Sequence, residues 1–238
     1  MSNNHFVIFS AGRDCAPLVR HNTASVIDQT YDDYTHIVVV DESPCDGGGT
    51  MREAMRVSER RRAVYGSVER KHWLGLARDS NISVVSDKDI MVVLDLDDSF
   101  ADQHVLAHLN EVYEDPSIWV TYGQYVDQSG QLGHCRKWKG VGEPRKMPWI
   151  FSHLMTFRGF LWNKIKDEDL KWPTGEYFTA SRDLATMWPM LEMAGRARTK
   201  FLPWPLVNYT ARYDKGFNEE QRRVEAHVRS MPPYKELI

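Results

Sequence analysis

The stretch Ile90-Met-Val-Val-Leu-Asp-Leu-Asp-Asp-Ser99 gives the clearest indication of fold and chemistry in this chain. Its five leading apolar residues predict a strand that is buried on both faces. Three carboxylates, Asp95, Asp97 and Asp98, follow within four positions. Carboxylates this close repel one another unless a cation lies between them, and a hard divalent ion that also holds a diphosphate would supply the positive charge. The alternative is an acidic strand-end loop that caps the next helix.

The sequence before this stretch predicts a βαβ unit. Residues 5–10 read as a first strand, residues 17–29 as a helix, and residues 36–41 as a second buried strand that again ends on an acid. Such a unit has neighbouring parallel strands with a right-handed crossover, and its ligands bind outside the carboxyl ends of the strands. The side chains expected at that edge are those of Arg13, Asp14, Asp41 and the three aspartates above.

The segment from 53 to 79 is predicted to be mostly helical, and it is rich in arginine and lysine. Most of these charges fit a solvated helix face. Lys71 comes late in the segment, between Arg70 and His72. It would therefore approach a diphosphate bound near the end of the next strand.

The pattern changes after a helix predicted for 102–113. Residues 118–126 and the turn 127–130 predict a hairpin. The segment 134–147, called the basic loop below, is irregular, rich in lysine and arginine, and carries Trp138. Loops of this length without structure of their own are often functional. The basic loop is therefore a candidate for contacting an anionic or sugar-like acceptor, and a merely solvated loop is an equal alternative.

The last part of the chain predicts a strand at 153–158 followed by a short helix, and an amphipathic helix that opens at Asp183. An aspartate in that position is also a plausible N-terminal cap. Residues 201–209 predict an edge strand, because Pro203 and Pro205 cannot donate to a neighbour. Residues 218–230 predict a charged helix.

Composition bounds the class of protein. The chain has 238 residues, with 42% hydrophobic and 26% charged residues, which are the values of an ordinary globular domain. A formal net charge of −3 provides no overall attraction to nucleic acid or anionic membranes. Three widely spaced cysteines form no metal-ligand pattern, no signal peptide is seen, and no apolar run approaches ~20 residues. We therefore expect a cytoplasmic protein without a transmembrane segment.

The order of motifs resembles the inverting glycosyltransferases of family 2, which have a GT-A fold. The matching pieces are Ser25-Val-Ile-Asp-Gln-Thr-Tyr31, Ile37-Val-Val-Val-Asp41 and Val93-Leu-Asp-Leu-Asp-Asp98. The second half is similar to a branch with H-L-x-T-F-R, D-x-A and P-M-L-E-M-A-G segments, here at 153–158, 183–185 and 189–195. The resemblance implies one α/β GT-A (Rossmann-like) domain over 1–238 with a central, mostly parallel sheet flanked by helices. Residues 1–100 would form its nucleotide-binding half and residues 101–238 its acceptor-binding and catalytic half.

The resemblance also implies roles for individual residues. The positions that match the nucleotide-binding residues are Ala11, Gly12, Arg13, Asp41 and Asp95. Asp97, together with Asp98, matches the position that holds Mn²⁺ or Mg²⁺ on the diphosphate, and Asp183 falls where the family places its catalytic base. The side chains expected to contact the acceptor are His153, Arg158 and Arg182, together with Trp138, which is expected there from the composition of the basic loop.

Two departures from the family pattern stand out. The usual Glu-Asp pair before the catalytic helix is Arg182-Asp183 here, so the expected base has a cationic neighbour. The usual D-G-S-x-D after the second strand, which contacts the nucleotide base in the family, is replaced here by Glu42-Ser-Pro-Cys-Asp46.

The function expected from these features is transfer of a sugar, with inversion, from a nucleotide-diphosphate sugar to a hydroxyl acceptor. UDP is the expected nucleotide, and a glycan is the favoured acceptor. One alternative is a transferase of viral or phage type that acts on hydroxymethylated bases in DNA. A sugar-nucleotidyltransferase is a second alternative, although Ala11-Gly-Arg-Asp14 only faintly matches its glycine-rich loop. A non-catalytic binding module is a third.

Overall fold

The computed structural model of the protein describes residues 4–41, 45–56, 62–66, 85–139, 143–211 and 215–238. The N-terminal half is a parallel sheet with helices between its strands. Its strands are β1 (Phe6–Gly12), β2 (Tyr34–Val40), β3 (Arg62–Gly66) and β4 (Ile90–Val93), and its helices are α1 (Ala16–Ile27) and α2 (Gly49–Arg56). Strand β1 lies between β2 and β4, and β3 pairs with the outer side of β2. The predicted βαβ unit is therefore present.

The C-terminal half extends the same sheet with mixed pairing. Its strands are β5 (Ser99–Phe100), β6 (Val120–Asp127), β7 (Met155–Arg158) and β8 (Thr199–Tyr209). Its helices are α3 (Val105–Tyr113), α4 (Gly159–Lys164), α5 (Arg182–Ala194) and α6 (Lys215–Ser230). The order across the eight-stranded sheet is β3-β2-β1-β4-β7-β6-β8-β5. Strand β7 is antiparallel to both neighbours, whereas β6 and β8 are parallel, so both end at the edge where β1, β2 and β4 end.

The core lies on both faces of this sheet. Alternate residues of β1 and β4 contribute to two separate clusters, as expected for strands covered on each side. One cluster contains the buried face of α5, including Trp188 and Leu191, and the other contains Leu106 and Leu109 of α3. Among the described helices, none has the length and apolar character needed to cross a membrane.

The prediction of a mostly helical segment over 53–79 is wrong in its first part. Helix α2 ends at Arg56, and β3 follows at Arg62–Gly66. The short run Ala63-Val64-Tyr65 pairs with β2, and this pairing at the sheet overrides local helix propensity. Lys71, assigned to the nucleotide, lies outside the described residues, as do 57–61 and 67–84.

The predicted hairpin and edge strand also differ in detail. After the turn at 127–130, the return strand of the hairpin is reduced to a single bridge between Val126 and Leu132, because β6 pairs with β7 and β8 instead. Strand β8 is next to the edge rather than at it, since β5 pairs with its end at Val207 and Asn208. Its prolines lie before that pairing.

The motif Ser25-Val-Ile-Asp-Gln-Thr-Tyr31 has a structural role. The Ser25 hydroxyl accepts a hydrogen bond from the Phe100 amide at 3.0 Å. Gln29 donates to the Asp102 carbonyl at 2.7 Å and accepts from the Leu106 amide at 3.0 Å. These bonds connect the end of α1 to the segment that follows the three aspartates, residues 100–106. The motif thus helps to fix the position of the acidic segment 95–98, called the acidic turn below.

Candidate active site

The carboxyl ends of β1, β2 and β4 bring the expected nucleotide-side residues together. The Asp41 amide donates to the Gly12 carbonyl at 3.0 Å, and the Leu96 amide donates to the Ala11 carbonyl at 3.0 Å. The end of β1 therefore lies between Asp41 and the acidic turn. A Cβ atom on Gly12 would lie 2.7 Å from the Leu96 Cβ, so only glycine permits this close approach.

The loop after β2 supports the site through hydrogen bonds. The Arg13 guanidinium contacts the Asp14 carboxylate at 3.4 Å, and Asp14 accepts from the Cys45 amide at 3.0 Å. Asp46 accepts from the amides of Gly49 and Thr50, both at 2.9 Å, at the start of α2. Burial alone would raise the pKa of Asp46, but these hydrogen bonds outweigh it and lower the pKa. Asp46 is therefore committed to holding the start of α2.

The acidic turn is held through its main chain. Asn22, fully buried on α1, donates through Nδ2 to the Asp95 carbonyl and to the Asp98 carbonyl, both at 3.1 Å. The Asp98 amide donates to the Asp95 carbonyl at 2.9 Å. The Thr210 amide donates to Asp98 Oδ1 at 2.7 Å and connects the turn to the end of β8. Three of these four bonds go to main-chain carbonyls, so the position of the acidic turn is fixed mainly through its backbone.

A potential metal-binding group forms where the turn meets the start of the 153–158 segment. Ligand atoms of Asp95, Asp98 and His153 lie within 4.8 Å of one another. Burial, and then the neighbouring Asp95 carboxylate, raises the pKa of Asp98 to about 9. Asp98 Oδ2 is buried and has no hydrogen-bond partner within the described residues. A divalent cation would satisfy this oxygen and offset the repulsion, so the residues fit a metal ion.

The composition of this group differs from the pair expected from the sequence. Asp98 belongs to it, whereas Asp97 does not and instead lines a neighbouring cleft. Asp95, expected at the ribose, and His153, expected at the acceptor, take part in its place. The reason is topological: β7 runs antiparallel to β4, so the residue that precedes β7 lies beside the residues that follow β4.

Aromatic side chains surround His153. Its ring stacks on Tyr209, with centroids 5.2 Å apart, and meets the edge of Tyr125 at 5.9 Å. The Tyr125 hydroxyl and His134 Nδ1 are 3.0 Å apart. Burial, and then the Asp98 carboxylate, raises the pKa of Tyr209 to about 12, so its phenol stays protonated at neutral pH.

These surrounding residues were missed in the sequence. The residues concerned are Asn22, Tyr125, His134, Tyr209 and Thr210. The available signal was the position of the two tyrosines near the ends of β6 and β8, but it becomes informative only once these strands are known to be parallel neighbours. Asn22 carried no signal, because nothing in the sequence indicates that α1 contacts the acidic turn.

The start of α5 completes the site from the other face of the sheet. Asp183 is the second residue of α5, and Ser181 occupies the N-cap position, so the capping interpretation of Asp183 is wrong. Burial raises the pKa of Asp183, and the nearby His153 counteracts this shift. Burial lowers the pKa of the Arg182 guanidinium, while carboxylates around it act to raise it. Those carboxylates belong to Asp95, Asp183, Asp41 and Asp97.

Two residues expected at the acceptor lie elsewhere. Trp138 is buried, with its ring against Phe151 at 5.5 Å, so it is part of the core and cannot stack on a ligand. Arg158 pairs with Ile90 at the opposite end of β4, about 15 Å along the strands from His153. Its guanidinium donates to the carbonyls of Ile118 and Tyr113 at 2.8 and 3.1 Å. Both residues hold the fold, and their expected acceptor contacts are corrected accordingly.

Comparison with known proteins defines the class. The model of the family "Glycosyl transferase family 2" matches residues 7–173, so the chain belongs to this family, as its motifs predicted. It is a glycosyltransferase, which excludes the sugar-nucleotidyltransferase and binding-module alternatives. A comparison with curated protein sequences found no match.

Solved structures share the fold. TarS 1–349 of S. aureus superposes with a TM-score of 0.57 at 15% identity, over 94% of this chain and 68% of that chain. Its complex with UDP-GlcNAc gives 0.62 at 15% identity, over 94% and 69%. The mannosyltransferase PcManGT of Pyrobaculum calidifontis, in complex with GDP-Man and Mn²⁺, gives 0.59 at 18% identity, over 92% and 60%. The likeness confirms the expected GT-A fold.

Proposed function

We propose that this glycosyltransferase moves a sugar from a nucleotide-diphosphate sugar, with UDP as the nucleotide, to an acceptor hydroxyl with inversion at the anomeric carbon. The observation that carries the proposal is the convergence of two sets of residues at one sheet edge. The first set contains Ala11, Gly12, Asp41 and the acidic turn. The second is Asp183 on α5, which lies close enough to Asp95 for the two charges to interact. Three of the similar structures contain GDP-Man, UDP-GlcNAc or UDP, which supports a nucleotide-sugar donor.

The first set provides the donor site. Asp41, buried at the end of β2, would accept hydrogen bonds from the base or ribose. Gly12 packs closely against Leu96 at the end of β1, and the nucleotide would lie across this end of the sheet. Arg13 is partly exposed beside it, although its contact with Asp14 already engages one edge of the guanidinium. The same proposal assigns nucleotide binding to the half formed by residues 1–100 and acceptor binding to the half formed by residues 101–238.

Asp95, Asp98 and His153 would hold a divalent cation, Mn²⁺ or Mg²⁺. Such an ion acts as a Lewis acid on the charge that develops on the leaving diphosphate. A mixed set of two carboxylates and one imidazole favours Mn²⁺ over Mg²⁺, which prefers oxygen ligands. The complex of PcManGT contains Mn²⁺, which supports this choice.

Asp183 would act as the general base. Its carboxylate takes the proton of the acceptor hydroxyl while that oxygen forms a bond to the anomeric carbon. The bond from that carbon to the diphosphate breaks, and its electron pair leaves with the diphosphate. Burial raises the pKa of Asp183 toward the range where a carboxylate accepts a proton efficiently, while the Arg182 charge acts in the opposite direction and favours the ionised form.

The test is Asp183→Asn, which preserves size and removes the base. Transfer should fall by roughly 10²–10⁴-fold, with donor affinity and Tm unchanged. Asp28→Asn, at the exposed end of α1, is the matched control and should transfer normally. NMR of the product should show the opposite anomeric configuration to the donor. A retained configuration, or an Asp183→Asn enzyme with normal turnover, would overturn the assignment.

A further inference from the structure

Ser181, the residue before α5, has a backbone conformation that L-amino acids rarely adopt. Its φ and ψ angles are 47° and 37°, in the left-handed helical region. Its carbonyl accepts a hydrogen bond from the Ala185 amide at 3.2 Å, which begins the hydrogen-bond ladder of α5. Ser181 is also buried. Its backbone therefore sets the direction in which α5 begins, two residues before the proposed base Asp183.

The Ser181 hydroxyl is directed away from its own helix. A serine at an N-cap usually accepts a hydrogen bond from the second or third amide of the helix, here those of Asp183 and Leu184. Among these residues, all of which the structure describes, no such side-chain bond forms. The hydroxyl instead donates to the Gln221 carbonyl of α6 at 3.1 Å. The amides of the first turn of α5 are therefore left to other acceptors.

One of these amides contacts the proposed base. Burial raises the pKa of Asp183, whereas the charge of His153 and a hydrogen bond from the Leu184 amide to the carboxylate act to lower it. A bonded amide restricts the orientation of the carboxylate, and a general base works only within hydrogen-bond reach of the proton that it removes. A Ser181 hydroxyl that capped its own helix would compete for the same Leu184 amide.

Helix α6 can hold the Ser181 hydroxyl because α6 is itself anchored in the core. Its residues Val224 and Val228 belong to the same buried cluster as the apolar face of α5. The ring of Phe178, three residues before Ser181, packs against the His227 ring of α6 with centroids 5.7 Å apart. The segment that leads into α5 is therefore seated on a helix whose position is fixed by packing.

We propose that Ser181 is a positioning residue for the base of the transfer reaction. Its hydroxyl, held by the Gln221 carbonyl, fixes the first turn of α5 and leaves the Leu184 amide to orient the Asp183 carboxylate. The inference rests on the proposed function, because it concerns the residue that takes the proton of the acceptor. It makes α6, close to the end of the chain, a part of the fold on which the rate of transfer depends.

Two substitutions at Ser181 test the proposal, and both new side chains are compatible with the left-handed backbone. Ser181→Gly removes the hydroxyl. Ser181→Asn introduces an oxygen that can cap the helix and take the Leu184 amide from Asp183. Thr179→Val is the matched control, because the Thr179 hydroxyl donates to Glu220 Oε1 at 3.2 Å and also connects this segment to α6. Hydrolysis of UDP-glucose and UDP-N-acetylglucosamine with Mn²⁺ measures turnover, and titration calorimetry measures UDP binding.

The kcat of hydrolysis should fall roughly tenfold in Ser181→Gly and by up to about a hundredfold in Ser181→Asn, since misplacing a reacting group by about 1 Å has effects of this size. UDP affinity should stay within about twofold and Tm within a few degrees, and Thr179→Val should turn over like the wild type. The inference fails if either Ser181 variant keeps the wild-type kcat, or if UDP affinity falls as much as kcat does.

Crystal structures with UDP and Mn²⁺ provide a measurement that needs no turnover. In Ser181→Asn, the new side-chain oxygen should accept from the Leu184 amide, and the Asp183 carboxylate should turn away from that amide. An Asp183 carboxylate in its wild-type orientation overturns the inference. The proposed function is tested separately by the wild type and Asp183→Asn. Absence of hydrolysis in the first, or normal hydrolysis in the second, refutes that function, whereas a failure confined to the Ser181 variants refutes only the positioning role.

Discussion

The acidic turn and the basic loop both carry dense charge near the catalytic half of the sheet, but their charged groups are held in opposite ways. In the turn, Asn22 donates to two main-chain carbonyls, so the segment is held through its backbone. In the loop, Arg145 is held through its own side chain, whereas Lys137 and Lys139 are exposed. Arg145 makes two bonds to the Glu192 carboxylate at 2.8 and 2.9 Å and donates to the Val228 carbonyl at 2.7 Å.

This difference distinguishes a segment that binds a ligand from one that connects parts of the fold, which is called a joint below. A segment whose position is fixed by its backbone can present side chains to a ligand without depending on them for its own position. A segment held by its side chains connects parts of the fold. Glu192 also accepts from the Tyr234 amide at 2.9 Å, and Arg229 donates to the Met147 carbonyl at 3.0 Å. The basic loop thus joins α5 to α6 and the C-terminal segment.

The largest effect on stability should come from breaking this joint. Arg145→Ala leaves the Glu192 carboxylate buried without its charge partner, which should cost about 3–5 kcal/mol, or a fall in Tm of about 10 °C. Lys146→Ala, at the exposed neighbour, should change Tm little. Calorimetry measures the Tm of both variants. At a temperature where the variants and the wild type are folded, their transfer rates should differ by only a few-fold. A stable Arg145→Ala protein that fails to transfer would place the basic loop in the reaction instead.

A smaller effect, and one that depends on pH, is expected at the acidic turn. The pKa of Asp98 is about 9 in the folded protein against an ordinary value of 3.8. The folded state therefore keeps a proton that the unfolded chain loses, so the free energy of unfolding without metal should fall as pH rises from about 4 to 9. Asp98→Asn removes this dependence.

Thermal melts in EDTA at pH 5 and pH 8 check the prediction. The Tm of Asp98→Asn should exceed that of the wild type by a few degrees more at pH 8 than at pH 5, because about 1 kcal/mol corresponds to about 2–4 °C at this size. Mn²⁺ should stabilise the wild type more at pH 8 and the variant at neither pH. An equal Tm difference at the two pH values would show that Asp98 is ionised in the metal-free protein.

The smallest effect should come from the exposed lysines of the basic loop. For an uncharged acceptor, Lys137→Ala combined with Lys139→Ala should leave Tm unchanged and the acceptor KM within about twofold, because exposed charges contribute little. Transfer rates at low and high salt provide the measurement. A higher acceptor KM together with a flatter salt dependence would support an anionic acceptor such as DNA, since each phosphate contact releases counterions.

The sequence predicted three of the parallel strands, although not β3, for a physical reason. Strands β1, β2 and β4 are buried on both faces, so they appear as continuous apolar runs, and their ends are marked by Gly12, Asp41 and Asp95. The position of the acidic turn followed from that pattern alone. Family motifs then supplied the fold and the class of enzyme.

The remainder depended on contacts that no local pattern encodes. His153 reaches Asp95 and Asp98 only because β7 runs antiparallel between β4 and β6. Trp138 and Arg145 look like surface ligand-binding residues in the sequence, and only the packing of Phe151 and Glu192 against them shows that they are buried. Charge and aromatic content alone therefore do not distinguish a binding loop from a joint.

The central claim is that Asp95, Asp98 and His153, rather than an Asp97–Asp98 pair, hold the cation that binds the nucleotide. Titration calorimetry of UDP, with Mn²⁺ and with EDTA, tests it on the wild type, Asp98→Asn, His153→Ala and Asp97→Asn. Mn²⁺ should tighten UDP binding in the wild type and in Asp97→Asn. This gain should fall by roughly tenfold or more in the other two variants, since each loses a ligand. Loss of the gain in Asp97→Asn with its retention in His153→Ala would contradict the claim and return the metal to Asp97.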